Sequence, residues 1–557
     1  MELKVELINE PYNFIEDSIV TEKKLISKYV SDGIGEDYLY WKSQNPVLIS
    51  AQTGMGKNTF IETIIIKHCV ENNKKILIIS NRTANNRQQK KRVSSIVGCE
   101  YILENFTPKG LDELETFKNV RIVTYQKLEK YLYNYCESKK LEKFDFVVFD
   151  ECHYFESDSL FNNGTGKTLY KSLSVFKNSI RIFMTATPDE IFKIIIQKEK
   201  ALGLSSINKI YYINHPIESF FYPKTVLYYN FQRNYNYISP KYFNNKDTLL
   251  ELIKNDNSNF KWLIFVTNKQ DGENFVNNIG KNSTFITSES KNSKYEDGKI
   301  YSQVVTTEKF TCKVLVSTSV MDNGINFKDP LLKNIVIFAY DKTEFIQMLG
   351  RKRVINDESI NLYLYGNNVK TIRNKLSGIN KQIEAICLLK DNPSLFLNQY
   401  FRNSELISGL IYFNKNLEPK INEFAEKKLY FLKNFYENLI SNFILIGKQA
   451  FILEQLAWLS LEKTYNPKLW IDYIDSDKNK RKLIEFLNSN CNIPLSDKAL
   501  ENFQINFKEL FVATYGKQSG DRSDRVYKET KMRKLLEKYD LPYKITIKNN
   551  AFTLCKM

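Results

Sequence analysis

The sequence predicts an α/β protein: two tandem doubly wound parallel-sheet domains, then a helical region, then a small α+β module. Three observations carry this reading. Short, near-continuously apolar runs alternate with amphipathic segments over residues 45–215, the pattern restarts near residue 224, and strand signals fade after about 371. Parallel strands covered by helices on both faces read as unbroken Val/Ile/Phe runs rather than as alternating ones.

The first 30 residues form an extension, acidic and mixed, without the basic start and apolar core of a signal peptide. In the first domain, 31–215, the strands are PVLIS (46–50), KKILIIS (74–80), VRIVTY (120–125), FDFVVFD (144–150) and IRIFMTA (180–186). Helical segments such as 59–73, 86–97 and 170–179 separate them, as a doubly wound sheet requires. The second domain, 216–370, has KTVLYYN (224–230), KWLIFVT (261–267), STFITS (283–288), KVLVSTS (313–319), NIVIFAY (334–340) and INLYLYG (360–366). Trp262, on one of these strands, reads as core. Residues 371–480 carry apolar positions at helical spacing, notably over 371–390 and 426–461. Residues 481–557 form a basic α+β module.

At 557 residues the chain exceeds one ordinary core, and 43% hydrophobic with 26% charged residues describes a globular protein. No apolar run reaches the ~18 residues of a membrane span. Eight Cys, three His and no C-x-x-C pair argue against a zinc site or a disulfide framework, and a reducing cytoplasm is expected. The net charge of +16 suits a polyanionic partner. The abundance of Lys, Asn, Ile, Tyr and Phe, the usage of an AT-rich genome, gives that charge a second source.

Two stretches resemble a phosphate-binding loop: SAQTGMGKNTF (50–60) and FNNGTGKTLY (161–170). Such a loop works where a strand delivers a glycine turn to a helix N-terminus, so that backbone N–H groups and the helix dipole hold phosphates while a Lys reaches the terminal ones. Only the first lies between a strand and a helix. Its loop, Ala51, Gln52, Thr53, Gly54, Met55, Gly56, Lys57, Asn58 and Thr59, is therefore the nucleotide-site candidate. Asn58 stands where a Mg²⁺-binding hydroxyl is usual, so it is a weak metal ligand or acts through water. The second stretch has Phe161 in place of the leading small residue and reads as a surface loop that starts a helix.

The run FDFVVFDECHYF ends an apolar strand in Asp150 and Glu151. A carboxylate at a strand end beside phosphates can hold Mg²⁺, and its neighbour can deprotonate water.

These segments together resemble a superfamily 2 helicase of the DExH type, with two RecA-like domains, over residues 45–366. AQTGMGKN resembles motif I and DECH motif II. The resemblance implies that His153, with Thr185 and Thr187 of MTATP (184–188), couples hydrolysis to nucleic acid. It implies backbone contacts from Asn81 and Arg82 of SNRTANNRQ, from Thr124, Tyr125 and Gln126 of VTYQKL, from Thr267 of IFVTNK and from Thr318 of VLVSTSVMDNGINF. It places Gly324 and Asn326 near the nucleotide, and Gln347, Arg351 and Arg353 of QMLGRKR at the γ-phosphate. Two departures stand out: Asn326 replaces the usual Asp, and the last arginine of motif VI falls on Val354, leaving Arg351 and Arg353 as two finger candidates.

Residues 501–557 hold 12 Lys/Arg against 7 Asp/Glu, with a basic helical pattern followed by alternating strands around Asn549-Asn550, a two-residue hairpin signal. This module is either a winged-helix-like reader or a cap on the motor. The expected function is an ATP- and Mg²⁺-dependent nucleic-acid helicase or translocase, with DNA favoured as the track. Duplex translocation without unwinding, and an ATP-switched binding protein, are the alternatives.

Overall fold

The computed structural model describes residues 6–7, 24–81, 83–100, 108–133, 143–204, 209–212, 226–318, 326–354, 358–400, 409–414, 416–516, 525–548 and 551–556. Two compact units emerge: 1–239 with 258–463, and 240–257 with 464–557.

The first unit opens with β1 (Val47–Ser50), whose four residues are all buried. Helix α1 (Lys57–Phe60) follows the glycine loop and runs through a π turn, Ile61–Ile65, into α2 (Ile66–Glu71). Then come β2 (Ile76–Ser80), α3 (Thr83–Ile96), β3 (Val120–Thr124), α4 (Tyr125–Tyr133) and β4 (Phe146–Asp150). After it follow α5 (Tyr154–Ser157), α6 (Thr165–Val175), β5 (Ile180–Thr185), α7 (Asp189–Ala201) and β6 (Val226–Asn230). The nine-stranded sheet has seven parallel strands in the order Lys209–Tyr212, β6, β1, β5, β4, β2, β3, with short antiparallel edges Glu6–Leu7 and Thr116–Phe117. Pairing of Ser50 with Thr185 and of Asp150 with Met184 brings the C-terminal ends of β1, β4 and β5 side by side. That edge is where ligands bind in open parallel sheets. Helices cover both faces over separate apolar clusters.

The run at 224–230, expected to start the second domain, instead closes the first sheet as β6, beside β1. Its all-buried pattern fits any central parallel strand, and only the long-range pairing distinguishes the two sheets.

The second sheet contributes β7 (Lys261–Phe265), α8 (Lys269–Ile279), β8 (Ser283–Ile286), α9 (Glu296–Thr307), β9 (Val314–Ser317), β10 (Leu332–Ile337), α10 (Lys342–Leu349) and β11 (Ile360–Tyr365). These strands run parallel in the order β11-β10-β7-β9-β8. Trp262 is core, 2% exposed and packed on Tyr363.

Helices then dominate: α11 (Val369–Asp391), α12 (Pro393–Tyr400), α13 (Glu423–Ile446) and α14 (Ala450–Trp458), with one hairpin, β12 (Ile411–Phe413) and β13 (Pro419–Ile421). No helix among the described residues is long and apolar enough to cross a membrane.

The second unit holds the helix Lys246–Lys254, α15 (Ile471–Ser489), β14 (Pro494–Leu495), α16 (Asp497–Tyr515), α17 (Glu529–Lys538), β15 (Tyr543–Lys548) and β16 (Ala551–Lys556). β15 and β16 pair antiparallel with Lys548 opposite Ala551, the register that a two-residue hairpin demands. The Asn549-Asn550 turn itself lies outside the described residues.

Candidate functional site

The glycine loop leaves β1 at Ala51, whose N–H donates to the Thr185 carbonyl. Gly54 at φ +98° and Gly56 at φ +77° occupy backbone regions that side chains disfavour. Lys57 is 6% exposed and its Nζ donates to the Ala51 carbonyl at 2.9 Å. Burial lowers its pKa, against the pull of Glu151 and Asp150. The N-terminal segment also serves the loop: Val30 N–H donates to the Met55 carbonyl, and Tyr29 lies beside Gly56.

Asp150 is 1% exposed at the end of β4. Burial, reinforced by the Glu151 charge, pushes its pKa up to about 7. Burial alone would also raise Glu151, but Lys57 and His153 outweigh it and hold that carboxyl below the usual range. The two adjacent buried carboxylates are thus pushed in opposite directions by their surroundings. Glu151 stands at φ +50°. A non-glycine residue there costs on the order of 1–2 kcal/mol, strain that turns the carboxylate off the strand end into the cleft.

The Asn58 amide nitrogen lies 3.2 and 3.1 Å from the two Asp150 carboxylate oxygens and donates to them. Asn58 therefore grips the carboxylate of the second metal-ligand candidate. His153 Nδ1 lies 3.1 Å from Thr185 Oγ1 and 3.4 Å from Glu151 Oε2; the shorter contact is the hydrogen bond. Thr187 N–H donates to Thr185 Oγ1 at 3.0 Å. The three coupling candidates thus form one chain ending at Glu151.

From the second sheet, α10 delivers Gln347 and leads into the arginines. Gly350 packs so closely on Thr53 that an added Cβ would sit 2.7 Å from the Thr53 side chain. Arg351, 7% exposed, is held by Gln347, donating to its carbonyl and to Oε1. Arg353 is held at one end only: Nε donates to Asn326 Oδ1 at 3.0 Å, while its buried Nη1 has no partner and faces Gly54. Burial, then Arg351, lowers the Arg353 pKa to about 10. An ion pair, Lys342 Nζ to Asp189 Oδ2 at 2.5 Å, ties α10 to the start of α7.

The glycine loop, Glu151, His153, Asn326, Gln347, Arg351 and Arg353 line one cleft of about 1280 Å³. Buried polar atoms without partners gather on its walls: Thr53 Oγ1, Glu151 Oε2, Gln347 Nε2 and Arg353 Nη1. Buried polar groups are normally paired, so this set is shaped for a polar, anionic guest. Lys57, the glycine loop and two guanidiniums fit a nucleoside triphosphate. Asp150 supplies the oxygen donors that Mg²⁺ prefers, with the Asn58 amide hydrogen-bonded to them.

Several expectations are revised or extended. Tyr125 is fully buried, stacked on Tyr154, with its hydroxyl donating to the Asp150 carbonyl. It is a prop under the carboxylate loop rather than a nucleic-acid contact; an aromatic at a strand end reads alike in both roles. Asn81 lines the nucleotide cleft. Thr124, Gln126, Thr267 and Thr318 lie at or just past the C-terminal ends of their strands, with Gln126 and Thr267 exposed. Arg82 and Gly324 lie outside the described residues. The decoy at 161–170 is a turn with Phe161 exposed that starts α6 at Thr165, as expected, but its later part is packed: Gly164 and Thr165 are buried, Gly166 abuts Phe424, and Lys167 Nζ sits 3.1 Å from the Tyr412 ring centroid. Its glycines permit close packing of α6 against α13.

Other contacts at the cleft carried no local signal. Gln52 clamps the connector after β6, donating to the Asn234 carbonyl and accepting from its N–H. Arg233 donates to the Ala186 carbonyl at 2.8 Å. Glu62 and Arg92 form a two-pronged ion pair at the cleft's edge.

The fold and cleft define a P-loop protein with two RecA-like domains. Residues 10–190 match the family "Type III restriction enzyme, res subunit", and residues 244–353 match the "Helicase conserved C-terminal domain". Both matched regions mark the chain as similar to superfamily 2 helicases. Among solved structures it is similar to Saccharomyces cerevisiae Dbp5 bound to RNA and ADP BeF3, at 15% identity, covering 61% of this chain and 89% of that one, TM-score 0.40. It is similar to Mycobacterium smegmatis Lhr bound to ssDNA and AMP-PNP, at 12% identity over 67% and 56% of the chains, TM-score 0.40. It is also similar to a fragment of a type I restriction HsdR subunit from Vibrio vulnificus, at 15% over 58% and 60%, TM-score 0.36. No curated protein sequence matches it.

Proposed function

We propose that this protein is an ATP-driven motor on nucleic acid, with DNA as its track. The observation that carries the proposal is the unpartnered Arg353 Nη1 facing Gly54, with the unpartnered Gln347 Nε2 and Glu151 lining the same cleft. Phosphoryl transfer is catalysed mainly by positioning and by charge placed around the γ-phosphate. Backbone N–H groups of 54–57 cradle the phosphates, and Lys57 exchanges its Ala51 carbonyl for phosphate oxygens. Asp150 would hold a Mg²⁺ ion, with Asn58 a weak ligand or one acting through water, and the ion would supply charge neutralisation at the phosphates. Glu151, ionised and free of a hydrogen bond at Oε2, orients the attacking water and takes its proton. Arg353 completes the γ-phosphate shell from the second domain.

Because one shell draws on both sheets, ATP favours their closure and hydrolysis releases it. His153, Thr185 and Thr187 relay that change from Glu151 along the end of β5. Thr124 and Gln126 on one sheet, and Thr267 and Thr318 on the other, are the proposed phosphate-backbone contacts.

The match to a restriction-subunit family supports DNA over RNA and keeps duplex translocation as the second reading. Steady-state ATP hydrolysis with single-stranded DNA, duplex DNA and RNA tests the track. Stimulation by DNA exceeding that by RNA is expected, and RNA-only stimulation overturns it. A strand-displacement assay then separates helicase from translocase.

A further inference from the structure

The second unit contains the basic C-terminal segment. Its C-terminal elements follow the order α15, β14, α16, α17, β15, β16, and the three strands pair antiparallel in the order β14-β16-β15. This is three helices closed by a small sheet, with a hairpin directly after the third helix. Phe503, Phe507 and Phe511 recur every fourth residue on α16 and meet Leu483 and Leu487 of α15. Met532, Leu535 and Leu536 bury the inner face of α17, so Arg533, Lys534, Glu537 and Lys538 stand exposed on the outer face. α16 and α17 share one apolar core, and α17 turns its charged, mostly basic face outward, as a helix that enters a groove must.

Charge concentrates on this segment: residues 525–556 hold nine Lys/Arg against three Asp/Glu. Arg533 pairs with Glu529 at 2.6 Å, but Lys534, Lys544 and Lys556 have no carboxylate partner among the described residues. Lys544 and Lys556 are exposed on the hairpin.

The partner follows from what the surface lacks. Single-stranded sites need exposed aromatic rings for base stacking. Here Tyr527, Tyr543 and Phe552 all point into the core. The A-form RNA major groove is too narrow for side chains to read, whereas the B-DNA groove, about 12 Å wide, admits a helix.

We propose that α17 enters the major groove of duplex DNA, with Arg533, Lys534 and Lys538 on base edges and phosphates and with Lys544 and Lys556 on flanking phosphates. This site is independent of ATP and stands apart from the motor reading.

The test uses the full chain without nucleotide and a fluorescent 20-bp duplex DNA, scored by anisotropy across a salt series. The triple variant Arg533→Ala, Lys534→Ala, Lys538→Ala removes only exposed side chains. Duplex affinity should fall more than tenfold, with the log–log salt slope flattening by about 2–3, one unit per lost phosphate contact. ATP hydrolysis stimulated by single-stranded DNA should stay within twofold of wild type, which separates this site from the motor. Unchanged duplex affinity overturns the proposal. So does an equal loss on single-stranded DNA and duplex RNA, which would mark a non-selective basic surface.

Discussion

Replacing Arg353 with Ala separates the two finger candidates. Burial first, and Arg351 second, lower the Arg353 pKa to about 10, so its surroundings disfavour the charge. An anionic γ-phosphate at Nη1 relieves that penalty, most strongly as charge develops in the transition state. Arginine fingers commonly contribute about 10³ or more in rate. Arg353→Ala should therefore lower kcat by about 1000-fold at saturating ATP and DNA. The first domain keeps Lys57 and its glycine loop, so nucleotide affinity by fluorescent-ATP titration should change less than threefold. Thermal stability without nucleotide should hold or rise, because a buried, half-paired cation is gone. Arg351→Ala should differ by lowering Tm as well, since it frees Gln347 and empties a buried position. A kcat for Arg353→Ala within tenfold of wild type, beside an inactive but stably folded Arg351→Ala, would refute the assignment.

Lys57→Ala should abolish ATP hydrolysis, while Lys167→Ala should leave kcat within twofold and cost roughly 1 kcal/mol, a few degrees of Tm at most, as its cation–π contact with Tyr412 is lost. Reversed activities would mean that the wrong loop was chosen. Asn58→Thr should lower the Mg²⁺ concentration for half-maximal ATP hydrolysis about threefold, because the Asn58 amide competes for both Asp150 oxygens and a hydroxyl does not; an unchanged or raised midpoint contradicts this. Lys428→Met should destabilise the protein by about 3–5 kcal/mol, since Lys428 and Glu156 form a 3.1 Å ion pair with both side chains under a tenth exposed. Adding Glu156→Leu should recover most of that loss in thermal denaturation, and no recovery would mean that the pair is not the cause.

The parts of the site that were legible share a local cause. Lys57, Asp150 and Glu151 lie where a strand, a loop and a helix succeed one another within a dozen residues, so spacing and periodicity expose them. Asn58, Gly350 and Arg353 were visible as motif positions, but their contacts were not. The Asn58 grip on Asp150 spans 92 positions, and the contact of Gly350 with Thr53 spans about 300. No periodic pattern encodes such distances. The same limit explains β6, whose apolar run is compatible with either sheet, and the Gln52–Asn234 clamp. Tyr125 shows a different ambiguity. Its ring and hydroxyl suit a surface contact or a core strut equally, and only the stacked Tyr154 decides. The 161–170 decoy matched a glycine pattern whose purpose is close helix packing, with Phe424 against Gly166.

The central claim is that ATP turnover at this cleft is driven by Glu151 and stimulated by nucleic acid. Steady-state phosphate release from the full chain, with and without single-stranded DNA, is the most direct measurement, made on wild type and on Glu151→Gln. The account predicts at least tenfold stimulation of the wild type. It also predicts a Glu151→Gln variant that binds ATP with near-wild-type affinity yet turns over 100-fold or more slowly, having lost the base but kept the phosphate cradle. Turnover by Glu151→Gln within threefold of wild type, or a wild-type rate indifferent to DNA and RNA alike, would contradict it.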